Sequence, residues 1–202
     1  MRLYHAPASP FVRKVMVLLH EACATDRVEI VPVAGTPLDP GTLPVDRNPL
    51  GKIPALERPD GPTLYDSRVI CRYLDDLLGA GLYPAAPHLW DMLVLEATAD
   101  GIADAAVLMR YEDHVRPPAA RSSEWVEAQW AKVSRALAAI EGRWLSHLRG
   151  PLDMGQIGLG CALGYLDFRH AGRDWQAAHP ALAEWWGAFS ARPSMKATAP
   201  DI

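Results

Sequence analysis

The sequence predicts an α/β unit, a four-stranded mixed sheet with flanking helices, followed by an all-helical unit. Three observations carry this. Short strand-like runs alternate with helical periodicity only up to about residue 78. Residues 79–87 hold two glycines and two prolines, a break between units. Beyond it no strand pattern recurs, and long runs repeat their apolar residues every three or four positions.

Arg2 to His5 reads as a first strand, ended by Ala6-Pro7-Ala8-Ser9-Pro10. Val12, Val15, Met16 and Leu19 then follow at the spacing of one buried helical face, so Ser9 is an N-cap with proline at the first helical position. Val28 to Val33 is β-branched and alternating, a second strand parallel to the first. Residues 32–49 carry five prolines and two glycines, which predicts a loop with room for one short helix. Ile53 to Glu57 is a third strand, Arg58-Pro59-Asp60-Gly61-Pro62 a tight turn, and Thr63 to Tyr65 a fourth strand. Asp66-Ser67 opens a helix through Val69, Ile70, Tyr73, Leu74 and Leu77.

Domains are expected over residues 1–80 and 88–202, with a linker over 81–87. In the second, Leu89–Tyr111 and Trp125–Leu148 read as long helices, the latter with a core stripe through Val126, Trp130, Val133, Leu137, Ile140 and Trp144. Asp153 and Gln156 form a capping box ahead of a glycine-rich apolar run. Each helical glycine costs roughly 1 kcal/mol relative to alanine, so close-packed neighbours must compensate and this helix should be central. A last helix starts at His179-Pro180.

With 202 residues, half of them apolar, the chain can build a full core. A net charge of -4 with scattered Lys and Arg gives no footprint for nucleic acid. No apolar run reaches membrane-spanning length, and no secretory signal is visible. Three widely spaced cysteines argue for reduced thiols in a cytoplasmic protein, and neither they nor the seven histidines suggest a metal site.

Ser9 stands where a strand hands over to a helix N-terminus, whose free N–H groups and dipole favour an anion. An exogenous thiol placed there could receive the serine's hydrogen bond as thiolate, its pKa falling from about 8.5. Asp66-Ser67 is a second such terminus, able to take a ligand carboxylate on Ser67 and an ammonium on Asp66. Taken alone, each reads first as a plain cap. Ile53 precedes Pro54, which opens an edge strand in trans or turns the backbone toward a ligand in cis, leaving Ile53 free for β-like pairing with a peptide.

Ser9-Pro10-Phe11-Val12-Arg13-Lys14-Val15, Asn48-Pro49-Leu50-Gly51-Lys52-Ile53-Pro54 and Asp66-Ser67-Arg68-Val69-Ile70 resemble, in order and interval, the thioredoxin-like half of cytosolic glutathione transferases. Residues 99–105 and 164–169 are similar to the helical half of a bacterial, Ser-type subgroup. The resemblance covers nearly the whole chain. It implies a cytoplasmic, homodimeric detoxification enzyme (EC 2.5.1.18-like) that ionises glutathione, its co-substrate, and adds it to a small hydrophobic electrophile.

Carried over residue by residue, Ser9 stabilises the glutathione thiolate, with Phe11 beside it. The Ile53 backbone pairs with the cysteinyl unit beside a cis-Pro54, and Asp66 and Ser67 hold the γ-glutamyl end. Lys52 is the nearest cation for the glycine carboxylate, with Arg47 and Arg68 behind it. Asp100 is the candidate acid reaching a neighbouring subunit's glutathione, and Phe11, Val107, Leu108 and Tyr111 are the candidate electrophile site. Two departures from the family pattern are the Asp153/Gln156 box, where Ser or Thr and Asp are usual, and the lack of a clear carboxylate-binding cation. The same sequence is compatible with a glutathione-binding or scaffolding protein of little activity, or with a glutathione-dependent peroxidase, isomerase or dehalogenase.

Overall fold

A computed structural model of the chain describes residues 1–200. Its elements are β1 (Arg2–His5), α1 (Pro10–Glu21), β2 (Glu29–Pro32), β3 (Ala55–Arg58), β4 (Gly61–Leu64) and α2 (Ser67–Leu78). Seven helices follow: α3 (His88–His114), α4 (Ser123–Arg143), α5 (Leu145–Leu148), α6 (Met154–His170), α7 (Trp175–Ala178), α8 (Pro180–Ser190) and α9 (Pro193–Ala197). The last two residues of the expected helical range, 201–202, lie outside the described residues.

The sheet order is β2-β1-β3-β4, with β1 parallel to β2 and antiparallel to β3, and β3 antiparallel to β4. Leu3 points to the face covered by α1 and α2, fully buried in the core shared with Val15, Leu18, Ile70 and Leu74. Tyr4, one residue on, points the other way, and its hydroxyl donates to Glu57 Oε1 at 2.7 Å.

Several boundaries differ from expectation. β3 starts at Ala55 rather than Ile53, because Pro54 has no N–H for the ladder. The Ile53–Pro54 bond is cis. β4 starts at Gly61, paired with Arg58, so the hairpin loop is only Pro59-Asp60. Residues 33–54 hold no helix. The expected Trp125–Leu148 helix ends at Arg143, and α5 resumes after Trp144. Helices α7 and α9, of four and five residues, are too short to show a period.

Every residue of α6 from Met154 to Leu166 is buried. A Cβ at Gly155 would sit 3.1 Å from Met92 O, and one at Gly158 would touch Ala99, so glycine is what lets α3 lie against α6. Only half the capping box forms. Asp153 Oδ1 accepts from Gln156 N at 3.0 Å, while Gln156 Nε2 donates to the carbonyls of Pro151 (3.0 Å) and His147 (3.1 Å) instead of to Asp153. The preceding loop turns back over the helix start, and its carbonyls are the nearer acceptors.

Among the described residues no helix is long and apolar enough to cross a membrane.

Candidate active site at one end of the sheet

The strand directions gather the three sequence motifs. β1 ends at His5 and leads to Ser9; β3 runs antiparallel to it, pairing Ala55 with Tyr4, so Pro54 stands at the same end. β4 reverses again, pairing Leu64 with Leu56, which returns Asp66 and Ser67 to that end. The N-termini of α1 and α2, which pack on each other, therefore open on one edge of the sheet.

Ser9 caps α1: its Oγ accepts from Val12 N at 3.3 Å, and its O–H is left to donate elsewhere. Asp66 caps α2 through Oδ1, which accepts from Arg68 N at 3.0 Å, while Oδ2 takes the Arg68 guanidinium at 3.0 Å. Burial works to raise the Asp66 carboxyl, but the hydrogen bonds and charge of Arg68 outweigh it and hold it below its ordinary value. Ser67 is buried directly behind.

The Lys52-Ile53 segment is set by a residue to which the sequence reading gave no role. Asn48, 2% exposed, donates from Nδ2 to Lys52 O at 2.8 Å and accepts on Oδ1 from Leu50 N at 3.1 Å. Gly51, at φ +60°, supplies the left-handed turn inside that loop. The Lys52 side chain is exposed.

Asp100 is held within its own chain. Lys14 Nζ lies 2.9 Å from Asp100 Oδ1 and 2.9 Å from Glu96 Oε1, and Arg68 Nε lies 3.6 Å from Asp100 Oδ2. Burial pushes the Asp100 carboxyl up, against the opposing pull of Lys14. One turn along α3, Asp104 is the acid that interacts with Lys52, Arg68 and Asp66; partial burial pushes its carboxyl up, opposed by the two cations. The four-residue spacing of Asp100 and Asp104 was the sequence signal for it.

A narrow cleft beside Ser9, too tight for a water molecule, is lined by Pro7, Ala8, Pro10, Arg13, Cys161, Tyr165 and Pro200. None of the four residues expected at the electrophile site lines this cleft. Phe11 and Val107 pack partly buried against the core, Leu108 is 42% exposed, and Tyr111 is half-buried with its phenol pushed up by burial. Tyr165, whose phenol burial pushes up to about 12, and Cys161 come from α6, whose uninterrupted apolar character gave no facing. No group of three or more potential metal ligands occurs among the described residues.

This geometry joins a serine hydroxyl at one helix start, a backbone edge at Ile53 and a serine-aspartate pair at another: donors for a thiolate and a carboxylate, and an acceptor for an ammonium. The chain is similar to known proteins over its whole length. A family model of the glutathione S-transferase N-terminal domain matches residues 8–77, and one of the C-terminal domain matches residues 123–186. The uncharacterized GST-like protein YibF of Escherichia coli (strain K12) is 32% identical over 205 residues, covering 99% of this chain and 98% of its own. A glutathione transferase family member from Pseudomonas fluorescens Pf-5, solved with bound glutathione, is 47% identical with a TM-score of 0.96, covering 100% of this chain and 99% of that one. A second structure from that organism, with bound S-(propanoic acid)-glutathione, is 46% identical with a TM-score of 0.92 and full coverage of both chains. The chain belongs to the glutathione S-transferase family.

Proposed function

We propose that this chain binds glutathione at the sheet edge, holds its thiol as thiolate beside Ser9, and adds it to a small electrophile. The observation that carries the reading is the meeting of Ser9, Ile53-Pro54 and Asp66-Ser67 at one end of the sheet. Their donors and acceptors suit a tripeptide with a thiol in the middle and a zwitterionic end. The glutathione bound in the 47% identical neighbour supports the same reading.

On this reading the tripeptide's cysteinyl unit pairs with the Ile53 backbone next to Pro54, and its γ-glutamyl carboxylate meets Ser67. Its ammonium competes with Arg68 for Asp66, with Asp104 nearby. Lys52 takes the glycine carboxylate. Residues 1–80 form the glutathione-binding domain and 88–202 the helical one, whose α6 side chains bound the electrophile. A homodimer in the cytoplasm, where glutathione is reduced, completes the proposal.

Calorimetric titration with glutathione, run beside turnover of an electrophile panel, tests it. Ser9→Ala removes one hydrogen bond to a charged sulfur, worth about 1.5–3 kcal/mol, so turnover should fall roughly 10- to 100-fold with the fold intact. Wild-type affinity weaker than millimolar, or turnover that Ser9→Ala leaves unchanged, sinks the proposal.

A further inference from the structure

The Arg13 side chain is only 7% exposed, in the wall of the Ser9 cleft, and no carboxylate among the described residues lies within ion-pair distance of it. Its guanidinium is fixed by neutral acceptors, Met195 O at 2.9 Å from Nη2 and Thr198 Oγ1 at 3.4 Å from Nε. The other buried cation of α1, Lys14, has two carboxylates. Helix α6 also makes room for Arg13: a Cβ at Gly164 would collide with Nη1 and stand 3.2 Å from the Trp186 ring. A helical glycine costs roughly 1 kcal/mol against alanine, so the seat of this charge is built at the expense of the helix. A fixed charge in a low-dielectric wall acts on a neighbouring ion far more strongly than one in water.

We propose that Arg13 is a charge-setting residue of this site, a buried cation without a counter-ion among the described residues, whose field holds the sulfur bound at Ser9 as thiolate. The inference rests on the glutathione reading and deepens it. The step is a simple ionisation: the S–H bond breaks, the proton leaves to solvent, and the electron pair stays on sulfur, opposite the fixed guanidinium. Among the described residues, the other groups around Arg13 do not neutralise it. On α6 these are the Cys161 thiol, pushed up to about 11 by burial, and the Tyr165 phenol; both are neutral at physiological pH. On α1 and α3, Lys14 is occupied by Glu96 and Asp100. Toward α9, Glu21 is taken by Arg192 and Ser194, and Thr198 is uncharged.

The test follows the pH dependence of glutathione binding and the ultraviolet absorbance of the bound thiolate, in wild type, Arg13→Met, Arg13→Lys and Gly164→Ala. S-methylglutathione, which has no ionisable thiol, is the control ligand. Arg13→Met should raise the bound thiol's pKa by about one unit, a roughly tenfold loss of thiolate below that pKa, while S-methylglutathione binding stays within about twofold. Arg13→Lys should restore most of the shift, and Gly164→Ala, which displaces the guanidinium without removing it, should move the pKa the same way by less. An unchanged thiol pKa in Arg13→Met, or in Gly164→Ala if Arg13→Met does not fold, overturns the proposal. Absence of any glutathione binding in the wild type instead removes the reading beneath it.

Discussion

Arg13 and Lys14 are neighbours on one helix, both buried, both reaching into the helical half, and they meet opposite surroundings. Lys14, 1% exposed, lies between the carboxylates of Glu96 and Asp100, and Tyr83 donates to Glu96 at 3.1 Å. Burial works to lower the Lys14 pKa, yet the nearby carboxylates outweigh it and the ammonium is held well above its ordinary value. Arg13 has a carbonyl and a hydroxyl. A cation with two counter-ions is spent on joining α1 to α3. A cation with neutral acceptors is positioned at a smaller electrostatic cost to whatever else it faces, and it faces the Ser9 cleft. The difference separates a clamp between the two halves from a charge offered to the site.

The largest test of that contrast is Lys14→Met, which leaves Glu96 buried without its cation and Asp100 with Arg68 alone. A loss of about 3–5 kcal/mol is expected in urea denaturation. All seven tryptophans lie between residues 90 and 186, so tryptophan fluorescence reports the helical half directly, and far-ultraviolet circular dichroism reports both. A cost under about 1 kcal/mol would remove the clamp from the account.

Arg13→Met should cost less, about 1–2 kcal/mol, because only hydrogen bonds to neutral acceptors are lost. Equal costs for the two variants would erase the distinction, since it rests on how each charge is compensated.

The smallest effect concerns the third charged contact of α1 with the helical half. Glu21 accepts from Arg192 at 2.8 and 3.0 Å and from the Ser194 hydroxyl. The Arg192 hydrogen bonds, ahead of the opposing effect of burial, hold its carboxyl below the ordinary value. A depressed carboxyl stabilises the fold above its unfolded-state pKa and loses that contribution as pH falls through the lowered folded value. Partial exposure of the pair keeps this under about 1 kcal/mol. Glu21→Gln should flatten the acid limb of the stability profile by that amount, and an unchanged limb would assign acid loss to other carboxylates.

The first 80 residues were largely legible because their signals are local. A serine before a proline and a 3–4 spacing fix Ser9 as a cap, and the hairpin follows from Pro-Asp-Gly chemistry. Element ends were less legible where a partner decides them: β3 waits for Ala55 because the ladder to β1 needs an N–H that Pro54 lacks. Asp100 was singled out as an acid on the first long helix, but its pairing with Lys14 is a tertiary fact, as is the approach of Asp104 to Lys52.

By itself the sequence determined the fold class, the caps of α1 and α2, the glycine-rich central helix and the order of motifs that marks the family. These follow from local backbone chemistry and from periodicity, which are written along the chain. Only the tertiary structure decided that Tyr165 and Cys161 line the cleft beside Ser9, that Lys14 has counter-ions while Arg13 has none among the described residues, and that Gly164 is vacant for the guanidinium. Helix α6 is buried all round, so no apolar stripe in its sequence tells which residue faces which neighbour. Charge compensation likewise depends on groups some 80 to 190 residues apart, and no spacing rule brings those together.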